Sequence, residues 1–421
     1  MKIFDRLPFG TTTVGLGLLI NGVSAYIFIS VASRDLGAEM YTPFGMLWAL
    51  SFLLGPGIFQ PLEQQTARSI ASRSGREIVP VAKAASIIGG FVTLLLIILA
   101  LSFNSWLIES IFSGESSLLI AIILVVVGLG SAHLVKGILA GAGRFKNYAQ
   151  YLVGEGLGRL VATAVLAIFA SGEVWMYGLA LGLSPFIGIS FALIRQNDLI
   201  RHGSPVRARE ISSSLGILLL ASLATAMVLN VSPLAVELLA ETSQKEEPGK
   251  FLNALLIARI PLFFFQAIQA ALLPRLSQLV TSEDYEKFKH ELMRLLSFVT
   301  AFGVCFIFLM GVAGQWVTRI AFGSEYEISN RNMLLLAISS IGLMYALSIT
   351  QGLLAFHRQG LSATAWIVGI ATFPITTSFG NDLFLRVEIA LILTVLITTV
   401  LLGFFIVKSY KLRWQTKLKY S

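Results

Sequence analysis

The sequence predicts an all-α membrane protein of about 12 transmembrane helices in two six-helix lobes, related by a pseudo-two-fold axis along the membrane normal. Three observations predict it. Hydrophobic residues fill 56% of the 421 positions and charged ones only 13%, about half the share of a soluble domain. Apolar stretches of roughly 20 residues, the length that crosses a bilayer core, recur from end to end. The basic residues alternate between dense and sparse connections, as a multi-pass chain requires.

The expected spans of the first half are residues 11–33, 40–61, 81–103, 117–141, 149–170 and 174–194. Lys2 and Arg6 precede the first apolar run, which is too long for a cleaved signal and is read as a span. The second carries Pro56 between Gly55 and Gly57 and ends at Pro61. After the sixth comes a polar, basic link, RQNDLIRHGSPVRARE. The second half holds spans 212–235, 251–273, 292–314, 333–356, 361–379 and 387–407, then a basic tail. The expected organisation is therefore a lobe over 1–200, a cytoplasmic link over 201–211 and a second lobe over 212–421. An even number of spans per half starts both halves on the same side, which makes a parallel repeat. The matched span ends GILAG (137–141) and GLLAF (352–356) agree with an offset of this kind.

With both ends in the cytoplasm, the outer segments hold only Arg34, Lys245, Lys250, Arg319, Arg331 and Arg386 of the 31 basic residues. Arg159 and Arg259 lie within spans, and all the others face the cytoplasm. That asymmetry sets the orientation in a cell (plasma or inner) membrane. It also accounts for the net charge of +8 through anionic lipid, so no nucleic-acid partner is needed. Cys305 is the only cysteine and the four histidines are scattered, so neither a disulfide nor a metal cluster is expected. No Walker A, GxGxxG, HExxH or GxSxG pattern occurs in a fitting context, so the chain is read as no enzyme and as needing no cofactor.

The residues with chemistry are charges inside apolar helices. Glu155 and Arg159 stand four apart on one helix face, glutamate first, beside Gly154, Gly156 and Gly158. A charge in hydrocarbon costs at least ~2.5–3.5 kcal/mol on insertion scales, so such residues turn inward. The pair either locks two helices or forms a charged wall of a substrate cavity. Arg259 sits in LLIARIPLFFF with Pro261 two residues on and no carboxylate within a helical turn. Either Glu155 reaches it across the lobes or it is held for an anionic ligand, and its planar fork suits phosphate. Gln266 and Gln269 share its face approximately, as interhelical hydrogen-bond partners or as partners for sugar hydroxyls. Asn21, Gln60 and Gln351 are further polar residues in spans. Glu63, Gln64, Gln65 and Arg68 read as a solvated helix end, and Lys136 as snorkelling to the cytoplasmic surface.

Three stretches carry a resemblance: SRDLGAEMYTPFGMLW after the first span, GPGIFQPLEQQTAR closing the second, and GILAGAGRFKNYAQYLVGEGLGRL joining the fourth to the fifth. Within them Leu36, Gly37 and Tyr41, and Gly143, Arg144 and Phe145, match features common in one group. The chain resembles the polysaccharide-exporter branch, the O-antigen (Wzx-type) flippases, of the multidrug/oligosaccharidyl-lipid/polysaccharide (MOP) superfamily. The resemblance implies a central cationic cavity and flipping of a polyprenyl-diphosphate-linked oligosaccharide to the outer leaflet by alternating access. The buried cationic surplus, two arginines against one glutamate, points to Arg259, with Arg159, as the diphosphate partner, and to Glu155 balancing Arg159 and titrating with a coupled proton or sodium ion. The related lipid II flippases also have an arginine in the eighth span, which matches Arg259, but carry two extra C-terminal helices that this chain lacks. The drug-exporting branch usually has an acid in its first span, and 11–33 has none. A cation-coupled drug or metabolite antiporter of the same fold is the alternative. A membrane polymerase would normally have a large outer loop, whereas the longest here, 237–250 and 315–331, are short.

Overall fold

The structure is a computed structural model that describes residues 9–73, 78–169, 172–194, 196 and 215–420, the side chains of 9–12, 266, 267, 270, 271 and 413–420 excepted. Among the described residues every regular element is helical. The first half comprises α1 (Phe9–Leu54), a π-helical turn (Gly55–Phe59), α2 (Gln60–Ser72), α3 (Ile78–Ser102), the short α4 (Asn104–Ser110), α5 (Leu118–Gly141), α6 (Phe145–Phe169) and α7 (Val174–Leu193). Then come α8 (Leu215–Leu239), α9 (Glu247–Ala258), α10 (Ile260–Thr281), α11 (Tyr285–Phe322), α12 (Asn330–Ala355), α13 (Gln359–Thr377) and α14 (Leu383–Tyr420). The expected link 201–211 lies outside the described residues.

Ten helices among the described residues are long and apolar enough to cross a membrane. One of them runs Thr13–Ser72 and holds the first two expected spans, which meet at a bend at Gly37. Gly37 has φ +70 and ψ 167, a backbone state that side chains with a Cβ resist. The loop expected between these spans is thus reduced to Gly37, at which two helices meet. The remaining expected span, the eighth, is α9 and α10 together, interrupted at Arg259. Pro261 has no N–H to give to the preceding turn, so the α-helical ladder stops and restarts there. The Gly37 bend is fixed from α7: the Tyr177 hydroxyl donates to Asp35 Oδ2 at 2.8 Å, and the Gly172 N–H at 3.3 Å. Phe28, Phe44 and Tyr177 pack as a fully buried aromatic trio with centroids 5.6–5.9 Å apart.

The chain forms two compact units, Met1–Ala226 with Ala240–Gly249, and Met227–Leu239 with Lys250–Ser421. In the first, α6 packs against both α1 and α7, and α2 against α5. In the second, α12 packs against α11 and α14, with α13 also on α14. The outer faces are apolar. Phe298, Phe302, Leu309, Val312 and Trp316 of α11 are all exposed at helical spacing, which suits lipid tails and no aqueous surface.

Helix ends show ordinary capping chemistry at membrane-facing turns. Asp382 precedes α14, and its Oδ1 accepts the Leu385 N–H at 2.8 Å while Arg331 approaches Oδ2 at 3.4 Å. The hydrogen bond from the Leu385 backbone is the main cause holding this carboxyl below its ordinary range. Asp382→Ala should cost about 1 kcal/mol, the usual value of such a cap. A depressed carboxyl contributes fully above its unfolded value and loses that contribution as pH falls through the folded one. The wild-type advantage over Asp382→Ala in detergent thermal unfolding should therefore be full at neutral pH and shrink below the ordinary carboxylate range.

Candidate functional site

Two polar centres lie in the first unit and a third set of residues in the second. The first centre begins with the absence of a side chain. A Cβ on Gly156 would sit 2.9 Å from Ser24 Oγ and 3.3 Å from the Asn21 Cα, so only a glycine lets α1 lie this close to α6. Gly154 and Gly158 turn to α7 instead, toward Phe191 and Ile187. The glycine run therefore seats two neighbouring helices. At that approach Asn21 reaches both charges of α6. Its Nδ2 donates to Glu155 Oε2 at 2.8 Å and to the Leu152 carbonyl at 3.0 Å, and its Oδ1 accepts from Arg159 Nη2 at 2.5 Å.

Glu155 and Arg159 themselves are 3.6 Å apart, beyond a good hydrogen bond. An i,i+4 pair in water is worth only about 0.3–0.5 kcal/mol. Hydrogen bonds to charged groups contribute about 1.5–3 kcal/mol each, so Asn21 holds the centre more than the direct ion pair does. Arg159 is 4% exposed, and its Nε has no hydrogen-bond partner among the described residues.

The second centre corrects two sequence expectations. Glu63 is not a solvated helix end but 9% exposed, and Lys136 does not reach the surface alone. Glu63 Oε2 lies 2.6 Å from His133 Nδ1 and 3.3 Å from Lys136 Nζ, and Oε1 accepts the Tyr148 hydroxyl at 2.8 Å. The four residues come from α2, α5 and α6, so no local spacing announces the set. His133 and Lys136, three apart in an otherwise apolar helix, were its one visible trace. The site owes its position to α2. Pro56 and Pro61 frame the π-helical turn, in which the Gln60 N–H bonds Gly55 O five residues back. A widened turn makes room for the Pro56 ring, and Phe59 and Glu63 beyond it meet His133 of α5. The Phe59 ring stacks on His133 at 6.4 Å between centroids.

In the second unit, Arg259 is 8% exposed and occupies the interruption between α9 and α10, with its own carbonyl accepting the Leu262 N–H at 2.9 Å. Gln269, on α10, has a buried Nε2 with no hydrogen-bond partner among the described residues. The Gln266 side chain lies outside the described ones. Arg259 belongs to one unit and the Glu155–Arg159 pair to the other. Sequence reasoning passed over Glu388, whose carboxyl on α14 is 0% exposed, with no hydrogen-bond partner to either oxygen among the described residues. An acid one residue into the apolar run VEIALILTVLI was the available signal. Among the described residues no group of three or more histidine, cysteine or acidic side chains could hold a metal ion.

No family model matches the chain. It is 24% identical over 345 residues to uncharacterised proteins of Mycobacterium bovis and Mycobacterium tuberculosis, covering 78% of this chain and 76% of theirs. Its fold is that of solved MATE transporters. An inward-facing multidrug resistance MATE family transporter of the MOP superfamily aligns with a TM-score of 0.75 at 13% identity, over 94% of this chain and 99% of that one. A eukaryotic MATE transporter aligns at 0.67 and 13% identity, over 97% and 98%. A mutant of the Vibrio cholerae MATE transporter VcmN aligns at 0.64 and 13%, over 98% and 99%.

The Asn21 bridge makes a definite prediction. Asn21→Leu keeps the volume roughly but leaves Glu155 Oε2 and Arg159 Nη2 without their bridging partner, so it should destabilise by about 1–3 kcal/mol. Thermal unfolding of the purified protein in detergent measures this, and Asn21→Asp should not restore it, because a second acid gives Glu155 no donor.

Proposed function

We propose that the protein is a membrane flippase that moves a polyprenyl-diphosphate-linked oligosaccharide from the cytoplasmic to the outer leaflet by alternating access, with no enzymatic step. The fold supports the coarser part of this reading, a multi-pass membrane transporter; the asymmetry of the basic residues supports cytoplasmic ends in the cell membrane. The observation that carries the substrate is Arg259, a buried guanidinium at the point where a transmembrane helix is interrupted. A guanidinium matches a phosphate with two parallel hydrogen bonds. The first turn of α10 starts beside it, and the dipole of that turn also favours an anion. Arg159 is the second cationic group, with Glu155 neutralising it when no substrate is bound. Gln269 offers an amide donor to glycan hydroxyls, and Gln266 is assigned the same role. The motifs of α1, α2 and α6 add the resemblance to glycan-lipid exporters.

A second reading, a cation-coupled drug or metabolite antiporter, is favoured by one observation: the structural neighbours are MATE transporters, one of them a multidrug resistance protein. The substrates separate the two. In proteoliposomes, a fluorescent polyprenyl-diphosphate disaccharide should cross to the opposite leaflet, whereas the dye ethidium should not be expelled. Arg259→Ala should lower lipid flipping at least tenfold at unchanged protein abundance, about 1.4 kcal/mol or more of lost interaction. Arg259→Lys, which keeps the charge but loses the fork, should fall between them. Full flipping by Arg259→Ala, or ethidium export by the wild type, would overturn the flippase reading.

A further inference from the structure

We propose that Glu63, His133, Lys136 and Tyr148 form a proton-binding site that couples transport to the proton gradient, connected through Tyr151 to the Asn21–Glu155–Arg159 centre. Its purpose rests on the transporter reading above, and its chemistry does not.

The charge count makes the site a proton site. One carboxylate faces one ammonium and one imidazole, at 3.3 and 2.6 Å from the same oxygen. With a neutral imidazole the set is balanced, and one added proton leaves it with a surplus positive charge. Histidine is the side chain whose ordinary titration lies near neutral pH, so the set can change charge under cellular conditions. A sodium ion fits poorly, because Lys136 Nζ and His133 Nδ1 already share Oε2 and the Tyr148 hydroxyl holds Oε1. The α3 helix and the start of α8 bring Val81, Ala85 and Leu215 against Leu62 and Ile70 of α2, while Lys83 is exposed. Among the described residues the other titratable groups that act on it are Tyr151 and Glu155, both on α6.

Those two residues provide the connection. Lys136 Nζ lies over the Tyr151 ring, 5.4 Å from its centroid. The charge of Glu155 acts on the Tyr151 hydroxyl, and Asn21 in turn joins Glu155 to Arg159. Glu155 also acts electrostatically on His133. A proton on His133 therefore repels Lys136, loosens Lys136 from Glu63, and alters the field that Tyr151 and Glu155 share. The route stays within one compact unit and links α2, α5, α6 and α1. Its receiving end is the proposed counter-ion of a substrate-binding arginine.

A plain structural clamp would hold the same helices together, so the test must read protonation itself. The full chain is labelled with 15N-histidine, placed in lipid nanodiscs and titrated by NMR, with His133→Gln assigning the His133 signal among the four histidines. The His133 imidazole should change protonation across the titration with the protein folded, and Glu63→Gln should move its midpoint by about one pH unit or more. Glu155→Gln should move it measurably but less. In proteoliposomes, His133→Gln, whose amide can still donate to Glu63, should flatten the pH dependence of flipping of the fluorescent polyprenyl-diphosphate disaccharide. A clamp would instead lower thermal stability and leave the shape of the profile unchanged. An imidazole locked in one protonation state, or one indifferent to Glu63→Gln, would overturn the proposal. Should His133 titrate as described and Glu155→Gln shift it while the lipid probe is never moved, the proton site stands and the substrate assignment falls.

Discussion

Ionic groups inside a bilayer must be satisfied by the protein, and at the Glu155–Arg159 centre that demand falls on one asparagine. Asn21 can give hydrogen to Glu155 and accept it from Arg159 because an amide has both a donor and an acceptor end. Neither a carboxylate nor an aliphatic residue could serve both. The amide arrives only because Gly156 has no side chain, so the packing of α1 on α6 and the electrostatics of the centre are one constraint. The seating of α7 on the same helix, through Gly154 and Gly158, then follows from the other face of that glycine run.

The two halves meet the same demand differently. The first gathers its charges into mutually paired sets drawn from α1, α2, α5 and α6. The second leaves Arg259 at a helix interruption and Glu388 inside an apolar helix without a donor to either oxygen among the described residues. A unit with closed pairs is rigid until a proton or ligand changes its charge.

Much of the fold was legible because hydrophobic span length and basic asymmetry are strong, local signals. The ends of α5, α6, α7 and α12 fall within a few residues of the expected spans. Gly37 was not legible as a bend, because a positive φ has no signature beyond the glycine itself. Pro261 did announce the interruption at Arg259. The Glu155–Arg159 pair was readable from its spacing, but Asn21 was not, since its partners stand 134 and 138 residues away. Glu63 was misjudged for a related reason. A charge just past a proline at a helix end looks solvated until the helices that cover it are known.

The widened turn at Gly55–Phe59 carries a mechanical consequence. A π turn holds one residue more than the α turn it replaces. Tightening it would swing everything beyond by about 100° and shift it by about 1.5 Å along the axis. Glu63 stands just beyond, so such a change of winding would withdraw the carboxylate from the imidazole in a single movement. The pitch of one helical turn thus decides whether the acid and the base on neighbouring helices meet at all.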